Sequence, residues 1–324
     1  MDCRILDCTG RHVAIFLSMN IRRLQYFIAV VEHGTVTAAA EVLHIAQPAL
    51  SRQLKTLERE LRIELFQSAG NRLVLTNSGR AFVPMARKLL AESRDLDAAV
   101  QVLRTGQVQR LSCAATTASL RGFLSNFIAE LGPDQPTIVA RETGHFELES
   151  ALLDDLDFII TPTIPTGDLA TVMLGDVPIR AQVPAGHRWL GESRRGIELS
   201  ELVDQPLILS PEHSVSRRIF SEALERQGLR IERAEVCDDG LVSHALVASG
   251  RGIAVNTEYP AFGVRGIPLF EQLGVPDASP LTLHMYMAWR RGHYAEAKLR
   301  ELASGLMEMV GGRQESWDVP GRDA

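Results

Sequence analysis

The sequence predicts an α/β protein built in three stages: an N-terminal all-α winged helix-turn-helix, a long linker helix, and a C-terminal α/β domain large enough for two lobes. Three patterns carry this. Three short helical stripes precede residue 62, and two brief apolar stretches flank a turn just after them. A heptad seam then runs from Phe82 to Leu103. From Arg110 onward short apolar strands alternate with amphipathic helices. A chain of 324 residues fits about two domains of roughly 150 residues each.

Residues 1–18 show no clear period and read as an N-terminal extension. Apolar residues recur at helical spacing through Leu24, Phe27, Ile28 and Val31 until His33-Gly34 stops them. A second helix fits Thr37 to Leu43, and a third runs from about Gln47 to Leu61. In that third helix Leu50, Leu54, Leu57 and Leu61 form an inner stripe, which leaves Ser51, Arg52, Lys55, Arg59 and Arg62 largely on the outer face. Ala69-Gly70-Asn71 separates the stretches Glu64 to Gln67 and Arg72 to Leu75, as in a small two-stranded wing. These elements make residues 19–77 the first module.

The linker helix spans 78–106. Phe82, Ala86, Leu89, Ser93, Leu96, Val100 and Leu103 alternate spacings of four and three, so the helix is expected to pair with a second copy. The plainer reading, a single core-facing helix, accounts less well for so regular a repeat. Dimerisation is therefore assigned to Phe82, Leu89, Leu96, Val100 and Leu103.

In the body, strands are expected at Leu111–Ala115, Thr137–Arg141, Asp157–Thr161, Ala181–Pro184, Pro206–Leu209, Ile231–Cys237, Ile253–Asn256 and Leu283–Trp289. Helices fall at about Leu120–Ile128, Leu148–Leu153, Ser216–Gln227, Leu241–Ser249 and Tyr294–Val310. Such alternation implies parallel sheets joined by right-handed crossovers.

Composition narrows the functional classes. With 45% hydrophobic and 23% charged residues the chain is an ordinary globular one, and no run of about 18 apolar residues suggests a membrane span or signal peptide. A cytoplasmic location is expected. Four cysteines, at 3, 8, 113 and 237, lack CxxC or paired Cys/His spacing, so neither a disulfide framework nor a metal site is expected. The net charge of −6 is uneven: residues 19–77 carry seven basic against five acidic side chains, which leaves the body acidic. GxSxG, Walker, HExxH and GxGxxG motifs are missing, and Asp154, Asp155 and Asp157 read as a solvated turn. Enzymatic activity and cofactors are not expected.

Thr37-Ala38-Ala39-Ala40-Glu41-Val42-Leu43, then Gln47-Pro48-Ala49-Leu50-Ser51, Leu57-Glu58, Leu61, Leu65-Phe66, Arg72, Leu75-Thr76 and Gly79 closely resemble the DNA-binding signature of the LysR-type transcriptional regulators. The resemblance spans about 45 residues at fixed spacing and is followed by the expected linker helix. It implies a sequence-specific regulator that reads double-stranded promoter DNA through the third helix. Gln47, at the start of that helix, suits two hydrogen bonds to a base edge, worth about 1–3 kcal/mol of discrimination. Pro48 fits a first helical turn. Ser51, Arg52, Gln53 and Lys55 share the surface, Thr37 would cap the second helix or reach a phosphate, and Arg72 would touch backbone or minor groove. The sequence departs from the pattern at three places: Ala46 stands where a capping Ser or Thr is usual, Arg62 where a Gly commonly ends the helix, and Ser68 where an Arg is usual.

For the body (107–312) the resemblance implies a periplasmic-binding-protein-like effector domain, with lobe I at 107–180 and 283–312 and lobe II at 181–282. A small-molecule inducer would bind between the lobes. Thr116, Thr117, Ser119 and Thr161 are its candidate contacts from lobe I. Ser210, His213, Ser214 and Arg217 are those from lobe II, with Asn256 standing where the family often has Pro. Hydroxyls and Arg217 together would suit an anionic inducer. Residues 313–324 read as a loose tail. Partners implied are DNA, the effector, a second copy in a homodimer or homotetramer, and RNA polymerase. The alternative reading is a constitutive or nucleoid-type repressor without an inducer.

Overall fold

The computed structural model describes residues 20–69, 72–152, 156–191 and 194–317, with side chains described except at 69, 72 and 313–317. The expected extension, the tip of the wing, Asp154, Asp155 and the last residues of the tail fall outside these. The described chain divides into two compact units, the first ending at Gly106 and the second beginning at Gln107.

The first unit is built from α1 (Ile21–His33), α2 (Val36–Val42), α3 (Gln47–Leu61), a hairpin of β1 (Phe66–Ala69) and β2 (Arg72–Leu75), and α4 (Asn77–Thr105). Its core gathers Leu24, Phe27, Ala39, Ala40, Leu50, Leu54, Leu57 and Leu65. The inner stripe read from sequence is therefore the buried one, except that Leu61 is only partly covered. Asn20 caps α1, and Gly34 ends it with φ 71°, a left-handed turn in which glycine lacks the Cβ clash of other residues. Thr35 caps α2 by accepting from the Ala38 amide at 3.1 Å. This corrects Thr37, which lies inside α2 with its side chain exposed, because the helix starts one residue earlier than expected.

The signature residues outside the recognition face hold the module together. One Glu58 carboxylate oxygen accepts the Leu65 and Phe66 amides at 2.8 and 3.1 Å, tying the end of α3 to the wing. Thr76 caps α4 through the Gly79 amide and donates to the Glu64 carbonyl at 2.6 Å. Phe82 packs its ring 5.4 Å from that of Phe27, and Ala86 and Leu89 join the same core. The first half of the heptad seam is thus used inside the module. Leu96, Val100 and Leu103 stay 65%, 44% and 85% exposed.

The second unit holds two sheets. Lobe I contains β3 (Arg110–Ala115), β4 (Thr137–Glu142), β5 (Phe158–Thr161), β6 (Leu169–Pro178) and β13 (Thr282–Arg290), in the order β4-β3-β5-β13-β6. Its helices are α5 (Thr117–Ser119), α6 (Ser125–Glu130), α7 (Leu148–Ala151) and α11 (Glu296–Trp317); a π-helical turn joins α5 to α6. Lobe II contains β7 (Arg180–Val183), β8 (Ile197–Glu198), β9 (Leu207–Leu209), β10 (Ala234–Val236), β11 (Ile253–Asn256) and β12 (Arg265–Phe270), ordered β10-β9-β11-β7-β12-β8. Here α8 (Leu199–Leu202), α9 (Val215–Arg226) and α10 (Gly240–Ala248) cover the faces. α11 continues to Trp317, past the expected start of the tail.

The sheets are mixed rather than wholly parallel. β3, β4 and β5 run parallel, as do β9, β10 and β11, but β13 is antiparallel to β5 and β6, and β7 is antiparallel to β11 and β12. The exceptions come from the strands that cross between lobes. β6 and β13 pair from Leu169–Arg290 to Pro178–Thr282, and the chain steps into lobe II at Ile179. There the Ile179 amide donates to Leu281 at 2.7 Å and its carbonyl accepts from Leu269 at 3.0 Å.

A buried polar cluster closes lobe I. Asp157 accepts from Ser112 through the amide at 2.6 Å and the hydroxyl at 2.9 Å, from Tyr294 at 3.2 Å, and lies 3.1 Å from His293 Nε2. His293 Nδ1 accepts the Ala295 amide, so the ring donates through Nε2. Asp157 is therefore a structural anchor rather than part of a solvated turn. Burial works against its charge, but the hydrogen bonds from His293 and Ser112 hold its carboxyl below the usual range. Nearby Cys113 is fully buried and its thiol is pushed up to about 12, chiefly by burial, as befits an unreactive core residue.

Candidate functional site

Two surfaces bring the sequence-picked residues together. On α3, Gln47, Pro48, Arg52, Gln53 and Lys55 are exposed and Ser51 half-buried, on the side away from Leu50, Leu54 and Leu57. Gln47 Nε2 donates to Ser51 Oγ at 3.1 Å, one helical turn along, making the two a single polar patch. Gln53 accepts from Arg23 Nε at 3.1 Å, and Arg23 is also paired with Glu60. Gln53 thus braces α1 against α3 as well as facing outward. Arg59 lies back on its own helix, donating to Thr56 Oγ1 at 2.8 Å. Ala46 occupies the N-cap with no side-chain hydrogen bond, and Arg62 ends the helix at φ 57°, both at the departures seen in the sequence. Arg72 opens β2, and its side chain is outside the description.

The second surface is a cavity of about 250 Å³ between the two lobes of the body. The parallel strands of both sheets end at it, the usual place for a ligand in an open α/β sheet. Beyond β3 lie Thr116, Thr117 and Ser119, beyond β9 lie Ser210, His213 and Ser214, and β11 ends in Asn256; all line the cavity as expected. Thr116 caps α5 and is 3.1 Å from Ser119 Oγ, while Ser214 Oγ is 3.0 Å from that of Ser216. Asn256 Oδ1 accepts from Gln182 Nε2 and from the Glu258 amide, both at 3.2 Å. Its amide therefore both faces the cavity and ties β11 to the crossing strand β7.

Two expected contacts are elsewhere. Thr161 is 1% exposed and turned into lobe I, 3.1 Å from Thr163 Oγ1; Pro162 lines the cavity in its place, as strand alternation requires. Arg217 does not line the cavity, and its Nε and Nη1 are buried without hydrogen-bond partners. It follows Ser216, which lines the cavity, and successive residues of α9 point about 100° apart, so the two side chains face different ways.

Sequence reasoning missed the acids. Glu142, Asp176, Asp238 and Glu258 line the cavity, with His145. Glu142, Asp238 and Glu258 all stand at or within two residues of the ends of β4, β10 and β11, so the strand-end rule was the signal that could have found them. Glu142 accepts from the Thr117 hydroxyl, and Asp176 lies 2.5 Å from His284 Nδ1. Across the mouth, Arg121 of lobe I pairs with Asp239 of lobe II at 3.3 Å. Burial, then His213 and Arg218, hold the His145 ring below its usual value.

Comparison with known proteins gives these surfaces their class. A family model described as the bacterial regulatory helix-turn-helix protein, lysR family, matches residues 21–80, and the LysR substrate binding domain matches 104–310, more than half the chain. The chain belongs to the LysR family of transcriptional regulators: a DNA-binding regulator with an effector-binding domain. It is 30% identical to the HTH-type transcriptional regulator TfdT of Cupriavidus pinatubonensis over 60% of this chain and 86% of that one. It is 27% identical to the RuBisCO operon transcriptional regulator of Allochromatium vinosum over 91% and 96%. Among solved structures, a single-residue variant of full-length OxyR from Pseudomonas aeruginosa superposes with a TM-score of 0.66 at 23% identity, covering 89% of this chain and 94% of that one. Full-length CbnR in complex with its target DNA gives 0.61 at 21% identity over 89% and 100%. Among the described residues no helix is long and apolar enough to cross a membrane.

Proposed function

We propose that the outward face of α3 from Gln47 to Lys55 reads base edges in the major groove, while a small effector in the cavity between the lobes sets how the heads of an oligomer engage the promoter. The observation that supports this most is the division of α3, with Leu50, Leu54 and Leu57 buried and Gln47, Arg52 and Lys55 exposed. Gln47 and Ser51 supply donors and acceptors for bases, Arg52 and Lys55 charge for bases or phosphates, and Pro48 a preset first turn. The open Leu103 end of α4 supports pairing with a second copy through Leu96, Val100 and Leu103. A homodimer, or a homotetramer through further body contacts, would align two heads on an imperfect palindrome in the cytoplasm and present them to RNA polymerase.

The cavity between the lobes favours an effector-controlled regulator over a constitutive repressor. An anionic effector, expected from the sequence, would find hydroxyls, backbone amides, the His145 and His213 rings and the Asn256 side chain there, but no lysine or arginine among the described residues. The test of the reading face is binding to promoter fragments. Gln47→Ala and Arg52→Ala should each lose about 1–3 kcal/mol of discrimination between the operator and a scrambled site. Unchanged sequence preference in both variants would reject the assignment of α3.

A further inference from the structure

The cavity's charges are nearly all of one sign. Glu142, Asp238 and Glu258 belong to its lining, and among the described residues no lysine or arginine does. Of the arginines nearby, Arg121 pairs with Asp239, Arg218 lies 3.9 Å from Glu222, and Arg217 stays outside the lining with its Nε and Nη1 buried. The fourth acid, Asp176, has His284 as its partner. The His145 ring, held below its ordinary value, is neutral near pH 7 and offsets none of this charge.

Glu258 is the most constrained of the acids. Its backbone is fixed on both sides, the amide donating to Asn256 Oδ1 at 3.2 Å and the carbonyl accepting from Gln182 Nε2 at 3.1 Å. Gln182 is fully buried and Asn256 is 5% exposed, so the support is rigid. The carboxylate lies over Gly240 at the start of α10, where any Cβ would overlap it. The position at 240 thus admits Glu258 only because no side chain is there.

We propose that the effector is an amine-bearing molecule that places a protonated nitrogen against Glu258, in the negative field of Glu142 and Asp238. This rests on the cavity being the effector site, as proposed above. A partly buried carboxylate whose neighbouring cation, Arg121, is paired with Asp239 is costly, and a bound ammonium or guanidinium group lowers that cost while leaving Thr116, Ser210 and Ser214 for the ligand's acceptor atoms. The state of Glu258 agrees: burial, followed by Asp239, pushes its carboxyl up against the opposing effects of Arg121 and the Gly240 amide. A cation beside it would reverse that push.

The test uses the full chain with isotope-labelled histidine, because His145 and His213 both line the cavity and report occupancy by their ring signals. Ethylammonium and 1,4-diaminobutane are titrated against propionate and succinate at matched ionic strength. The amines should move both ring signals saturably and the acids should not. Glu258→Gln and Glu142→Gln, on opposite lobes, should each weaken the diamine about tenfold or more. Gln at 258 removes an unfavourable charge, so that variant is expected to fold. The inference is overturned if the acids bind in place of the amines, if both bind alike, if no probe binds, or if both variants leave the diamine affinity unchanged. A compound that alters promoter binding but leaves both ring signals unmoved would instead overturn the placement of the effector in the cavity.

Discussion

Arg62 ends α3 in the left-handed region, φ 57° and ψ 34°, where a glycine would carry no Cβ penalty. Arg62→Gly should therefore stabilise the head by about 0.5–1 kcal/mol in urea unfolding. At the other end of the helix Ala46 leaves the N-cap without a side-chain acceptor, and Ala46→Ser should add about 1 kcal/mol by the same measurement. Asp157 makes a prediction in pH. Its folded value lies below that of a free aspartate, so its contribution is present above pH about 4 and lost as pH falls through the lower folded value. Asp157→Asn should lower stability at neutral pH and flatten the acid limb of the stability profile, read by thermal melting across pH. An acid limb as steep as in the parent chain would remove Asp157 from the ionisations that matter.

The helices were legible in the sequence where a single stripe decides burial. In α3 the leucines at 50, 54 and 57 allow only one inward face. The seam of α4 was read in full, but it serves two purposes that spacing alone does not separate: Phe82, Ala86 and Leu89 pack on the head, and Leu96, Val100 and Leu103 are left open. Paired Leu96→Lys and Leu103→Lys changes should leave the melting temperature of the head nearly unchanged while shifting the chain to monomers in sedimentation. Leu89→Lys should instead lower the melting temperature. Three strands of the body were not legible, for local reasons: β8 is only two residues long, too short for any period. β12 contains Gly266 and Pro268, residues that ordinarily argue against a strand; Pro268 is tolerated because β8 pairs only with Leu269 and Phe270, leaving the earlier part of β12 at an edge. β6 carries a register break opposite Met285–Tyr286 and so lacks a clean alternation.

For the molecule as a whole, the two-lobed body was legible from the alternation of strands and helices, and the hydroxyls of the cavity from their places after strands. The cavity's charge was not. Glu142, Asp238 and Glu258 are ordinary as sequence, since an acid at a strand end is most often a solvated residue, and only the folding of two lobes onto each other makes them neighbours of one cavity. Arg217 was chosen because it stands at a helix start, yet on α9 a single residue step of about 100° separates Ser216, which lines the cavity, from Arg217, which does not. An effector found by the amine screen should change the spacing of promoter contacts in footprinting, and it should not do so in Glu258→Gln.

The bonds that join Ile179 to Leu281 and Leu269 lie where the chain passes between lobes, on segments that are already paired side by side. Such a join bends most easily as a unit, like a leaf spring, with its rungs intact. In hydrogen–deuterium exchange the amides of Ile179 and Leu281 should therefore remain slow whether or not the cavity is filled, while those around Ser214 and Gly240 slow only on filling. The join would then carry the effector's signal as torsion and would not have to melt to pass it on.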